Sequence, residues 1–147
     1  MNEYERTITI DASADEVFHL VSSVSNLSKF VAAIQDAELE SPGRVRVRGV
    51  IGGREFDSGG YVRIDTAQRR MDWGSDGDPQ YRGWLEVKSG DATPNICELT
   101  VRLLLEPHFE FGEGQGAAFD EAIQAQLWET LTRIRDLAHE FQRVGPR

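Results

Sequence analysis

The chain has 147 residues and a single cysteine, Cys97, so an intrachain disulfide and a Cys-rich zinc site are both excluded. Its 25 acidic residues against 16 basic ones give a formal charge of −9, which repels phosphate backbones, and no nucleic-acid-binding motif offsets it. The length suits one domain over residues 1–147, since a chain of this size buries roughly 68–70% of its unfolded surface without staples.

The first residues, Met1-Asn2-Glu3-Tyr4-Glu5, lack the basic and apolar regions of a leader. No apolar run approaches the roughly 20 residues that a bilayer span needs. The expected compartment is the cytoplasm.

Residues 4–11 alternate, with Ile8 and Ile10 on one face and Thr7 and Thr9 on the other, which predicts a strand. Ser13-Ala14-Asp15-Glu16 then has the form of a capping box, and the helix it opens sets Ala14, Val17, Phe18 and Val21 on one side. Ser25 is placed to cap a second short turn that carries Leu27 and Phe30.

From Ile34 the hydrophobic period becomes two. It predicts strands over 34–40, 44–51, 54–65, 69–74, 81–89 and 96–106. Turn chemistry separates them: Ser41-Pro42-Gly43, Gly52-Gly53, Asp76-Gly77-Asp78-Pro79, and Gly90-Asp91 with Pro94-Asn95. Such short connections favour an antiparallel meander. The alternating Arg44, Arg46 and Arg48 are the solvated face of a strand. Pro107 stops the last strand, and Gly112 to Gly116 leads into a long helix. Ile123, Leu127, Leu131, Ile134, Ala138 and Phe141 form its apolar stripe.

This inventory is α+β: about seven strands, two short helices after the first, and one long helix that must cover most of the sheet. A sheet doing so has to curl around the helix. Gly49, Gly60 and Gly83 fall on the inward side of their strands, where they either permit bending and close approach or leave volume for a ligand. The inward polar groups are few: Ser58, Tyr81 and the indole N–H of Trp73. A mostly apolar pocket with few polar handles suits a neutral, hydrophobic small molecule.

The segments ERTITIDASADEVFHLVSSVSNLSKF and RVRVRGVIGGREF, with the amphipathic C-terminal helix, resemble the START-like (SRPBCC) superfamily, the helix-grip fold of the birch-pollen allergen. Within it they are similar to the polyketide cyclase/dehydrase family. The resemblance runs from about Glu5 to Phe141. It implies a ligand cavity between sheet and helix, with Phe30, Phe56, Ser58, Trp73, Tyr81, Ile123 and Leu127 as lining candidates.

Three functions follow as alternatives. The first is binding or transport of a lipid, quinone or polyketide-like molecule. The second is a cyclase/dehydratase-type enzyme using the same cavity, with Tyr81, Ser58 and His108 as acid–base candidates. The third is a chaperone-activator-like interaction module whose acidic surface steers a basic partner. No cofactor, metal or nucleic acid is expected, and the chain is expected to be a monomer or homodimer, with Trp84 and Trp128 as a candidate dimer patch.

Other residues have plain readings. Gly112 to Gly116 lacks the Lys-Ser/Thr of a phosphate loop. Glu106, His108 and Glu110 alternate but are interrupted by Pro107. Asp72, Asp76 and Asp78 lack the bidentate Glu of a calcium loop. Cys97 alternates with Leu99 and Val101 and belongs in the core, His19 lies on the surface, and His139 sits where a cation suits a helix C-terminus.

Overall fold

The computed structural model describes residues 2–30, 34–51, 54–75, 81–90, 95–105 and 116–144. Within them β1 (Asn2–Ile10) leads to α1 (Ala14–Val21), a 3-10 turn (Val24–Asn26) and α2 (Leu27–Phe30). Then come β2 (Ile34–Ser41), β3 (Arg44–Ile51), β4 (Arg54–Asp65), β5 (Arg70–Ser75), β6 (Tyr81–Ser89), β7 (Cys97–Leu105) and α3 (Gly116–Val144). The strands form one antiparallel seven-stranded sheet in the order β1-β7-β6-β5-β4-β3-β2. The meander expected from the short connections holds from β2 to β7, and β1 closes the far side by pairing with β7.

Local chemistry explains the boundaries. Ser13 caps α1 in a complete capping box: its side chain accepts the Glu16 N–H, and the Glu16 carboxylate accepts the Ser13 N–H. Ser25 does not cap the next turn. It lies inside the 3-10 segment, whose N-cap is Ser23, and the Ser23 hydroxyl donates backwards to the His19 carbonyl instead. Gly43 closes the β2–β3 hairpin with φ at 79°. At the β4–β5 turn Arg69 itself takes a left-handed φ of 52°, and its carbonyl accepts the Val87 N–H at 3.0 Å.

One face of the sheet carries the core. Tyr4, Ile8 and Ile10 of β1 lie beside Leu103, Leu99 and Cys97 of β7, which continue to Gly83, Val87 and Ser89 of β6. The α3 stripe meets this face with Leu127, Leu131, Ile134 and Ala138 buried. The opposite face is charged. Arg46 bonds Asp57 through two nitrogens and lies near Glu40, while Arg48 lies near Asp36, Glu38 and Asp57. The hydrogen bond with Asp57 raises the Arg46 guanidinium above its ordinary range, and Arg46 in turn lowers the Asp57 carboxyl. The arginine repeat of β3 is thus a solvent-facing ion-pair ladder.

His139 links two distant elements: its Nε2 accepts the Asp11 N–H at 3.1 Å, which ties α3 to the end of β1. Among the described residues, no helix is long and apolar enough to cross a membrane.

Candidate functional site

The inner face is packed unevenly along its length. At the end where β1 runs into α1, Ile10, Cys97 and Leu99 have no exposed surface, and Val87, Val17 and Val21 are equally enclosed. Leu131 and Ile134 of α3 belong to the same buried cluster. Towards the other end, at the start of β1 and the N-terminal half of α3, Trp73, Leu103 and Ile123 stay only partly buried although they pack against that cluster, beside Tyr4 and Leu127 at 4% exposure. Leu137, near the closed end, is also only partly buried. Ser58, also half-buried, faces inward opposite Val47.

Partly exposed apolar side chains on a core-facing surface are the groups that a bound apolar molecule would cover. Of the lining candidates, Leu127 lies in the core, and Trp73 and Ile123 pack against it. Ser58 is on the inward side, its hydroxyl donating to the Gly59 carbonyl at 3.2 Å, which leaves the oxygen to accept. Phe56 occupies β4 opposite Gly49, Tyr81 occupies β6 opposite Leu105, and Phe30 ends α2, but their side chains lie outside the described residues. His108 also lies outside them, as do Glu106, Glu110, Asp76, Asp78 and Gly112 to Gln115.

Of the two readings of Gly83, close approach or volume for a ligand, the geometry favours close approach. A Cβ on Gly83 would come within 2.5 Å of the Arg102 carbonyl and 2.8 Å of the Trp73 ring. The indole of Trp73, its cross-strand partner, therefore fills the space, and the glycine permits close approach. Gly74 does the same on the outer face, where the Tyr61 ring lies over it. The signal was the pairing of a large aromatic residue with a glycine across two strands, which requires the register to be known.

Sequence reasoning also passed over two inward positions of β1. Tyr4 is 4% exposed and faces Leu103. Arg6 shares its register side but lies exposed, with its guanidinium 5.2 Å from the ring centre of Trp128. The period of two that marks Ile8 and Ile10 marks Tyr4 and Arg6 as well. Trp84 is covered similarly by Arg70 at 4.6 Å on the outer face. Both tryptophans proposed as a dimer patch thus have cationic partners within their own chain.

The remaining titratable candidates have structural partners. Asp72 accepts a 2.9 Å bond from Arg70, which also approaches Glu86. Burial pushes the Cys97 thiol up to about 11, against an opposing influence from Arg69. It is a core thiol rather than a nucleophile.

Residues 1–139 match the family model described as polyketide cyclase / dehydrase and lipid transport. The chain belongs to this family. A search of curated proteins returns no match. Among solved structures, the di-domain aromatase/cyclase BexL from the BE-7585A biosynthetic pathway superposes with a TM-score of 0.78 at 20% identity, covering 99% of this chain. The chain spans 48% of that protein's length. The Zhui aromatase/cyclase from Streptomyces sp. R1128 gives a TM-score of 0.74 at 17% identity over 97% of this chain and 96% of its own. A START superfamily protein from Mycobacterium smegmatis gives 0.75 at 16% identity over 92% and 98%. These likenesses establish the START-like, helix-grip fold. Both activities in the polyketide cyclase/dehydrase family's description concern hydrophobic small molecules, consistent with the apolar inner face.

Proposed function

We propose that the chain binds a largely hydrophobic small molecule (a lipid, quinone or polyketide-like compound) between the inner face of the sheet and the N-terminal half of α3. The observation that carries this is the partial exposure of Trp73, Leu103 and Ile123, apolar side chains on the core-facing side that pack against the buried cluster without being closed off. Ser58 and the Trp73 N–H supply polar handles, and Phe30, Phe56, Tyr81 and Leu127 complete the proposed lining.

A thermal-shift screen against fatty acids, quinones, sterols and aromatic polyketides tests the reading. A ligand at about 100 times its dissociation constant adds roughly 2.7 kcal/mol, several degrees at this size. One responding class supports the proposal, and indifference to every class counts against it.

The family match favours a second reading, in which the same space turns a polyketide over. It would hold the chain in a reactive fold, with acid–base help from Tyr81, Ser58 or His108. Replacing all three, as Tyr81→Phe, Ser58→Ala and His108→Ala, should then abolish turnover of an identified substrate, a far larger loss than the weakening of its binding. Unchanged turnover would remove the reading.

A further inference from the structure

Trp73 carries a hydrogen-bond donor that the fold leaves unused. It lies inward on β5, in a row that crosses the sheet from Val62 through Trp73, Gly83 and Leu103 to Tyr4. Its indole rests on Gly83: Cζ2 and Cε2 lie 2.8 and 3.0 Å from where a Cβ on that glycine would stand. Nε1 is bonded to Cε2, so the same contact carries the N–H out over β6. Among the described residues this N–H has no acceptor, and no fully buried side-chain nitrogen or oxygen lacks a partner. Nε1 therefore keeps accessible surface on the inward side. Neighbouring polar side chains are engaged or distant. Tyr4, at the end of the row, is 4% exposed and has an interaction of its own. Arg6 is drawn to the Trp128 ring. Ser58 lies four residues from Val62 along β4, roughly 13 Å, and gives its hydroxyl proton to the Gly59 carbonyl.

Any guest that covers Trp73 takes this N–H away from water. A hydrocarbon surface leaves the donor stranded, whereas a carbonyl oxygen replaces the bond it loses. We propose that the Trp73 N–H is a specificity determinant, selecting hydrophobic molecules that set a carbonyl oxygen against it. This selectivity rests on the proposed binding of hydrophobic molecules and narrows it. Keto-bearing rings and quinones fit the position, and a plain hydrocarbon chain or ring lying on the indole does not.

The test compares 2-acetylnaphthalene with 2-ethylnaphthalene on the full chain, two probes of nearly equal shape that differ in the carbonyl oxygen. Nitrogen-15 spectra of the wild type follow the three indole N–H signals, assigned through Trp84→Phe and Trp128→Phe. The ketone should move the Trp73 signal downfield and saturably, and the ethyl compound should not. The Trp84 signal, on the outer face, should stay in place with both. Trp73→Phe keeps an aromatic ring and removes the donor. In that variant the preference for the ketone, taken as the ratio of the two dissociation constants, should fall about 2- to 12-fold, the range of one neutral hydrogen bond. The ratio cancels any loss of packing that both probes feel, and if the variant does not fold the wild-type indole shifts decide alone. An unchanged ratio, or the same indole shift with both probes, would overturn the selectivity and leave hydrophobic binding standing. Failure of both probes to bind would overturn the binding itself, and the selectivity with it.

Discussion

Where β1 runs into α1, the inner face is closed by residues such as Ile10, Leu99 and Leu131 with no exposed surface, whereas near the start of β1 Trp73, Leu103 and Ile123 pack less completely. Both ends have the same alternating strands beneath them and the same helix above. The closed end gains the α1 layer, whose Val17 and Val21 are fully buried and whose Asp15 bonds Arg69 at the β4–β5 turn. The other end lies under the N-terminal half of α3. One amphipathic pattern therefore has two outcomes: full burial holds the fold together at one end, and incomplete burial leaves some apolar surface exposed at the other.

The largest expected effect lies at the closed end. Leu131→Ala removes a fully buried side chain and should lower unfolding stability by about 2–5 kcal/mol in urea denaturation. A loss well under 1 kcal/mol would mean that this end is not the main source of stability. Next comes Gly83→Ala. Its new methyl meets a backbone carbonyl that cannot swing away, so a cost of about 1–3 kcal/mol is expected, with a change in tryptophan fluorescence as Trp73 shifts. An unchanged protein would show that the close approach is not rigid.

Ile123→Ala, at the half-buried end, should cost about 1–2 kcal/mol, less than Leu131→Ala, and should weaken binding of any hydrophobic ligand found in the screen. If the two alanine variants were equally destabilised, the distinction between the ends would fail. The smallest effect concerns pH. Because burial raises the Cys97 thiol from 9.0 to about 11, the folded state holds the proton longer than the unfolded chain does. Its contribution to stability is complete below about pH 9 and is lost as pH rises through about 11. The stability difference between wild type and Cys97→Ala, followed by urea midpoints, should therefore narrow over that window. A constant difference would place the thiol in contact with water.

Much of the fold was legible because it depends on patterns that a single strand or helix carries. The period of two located β2 to β7 to within a residue or two, Ser13 and Glu16 set the start of α1, and the stripe from Ile123 to Ala138 gave the buried side of α3. What stayed hidden depends on register between distant segments. The cover of Gly83 by Trp73, the reach of Arg6 to Trp128 and the His139 bond to Asp11 all join residues that only the pairing of elements brings together. The candidate site divides the same way. Trp73, Ile123 and Leu127 were marked by periodicity, whereas the placing of the Trp73 N–H over Gly83 depends on the pairing of β5 with β6.

The central claim, that the two ends differ in fillable apolar space, can be tested without knowing the ligand. Xenon enters dry apolar cavities, so carbon-13 methyl spectra of the leucine- and isoleucine-labelled protein under xenon pressure report where such space exists. The account predicts saturable shifts at the methyls of Ile123 and Leu103 and none at Leu99 and Leu131. Silence at all four, or equal response at both ends, would contradict it.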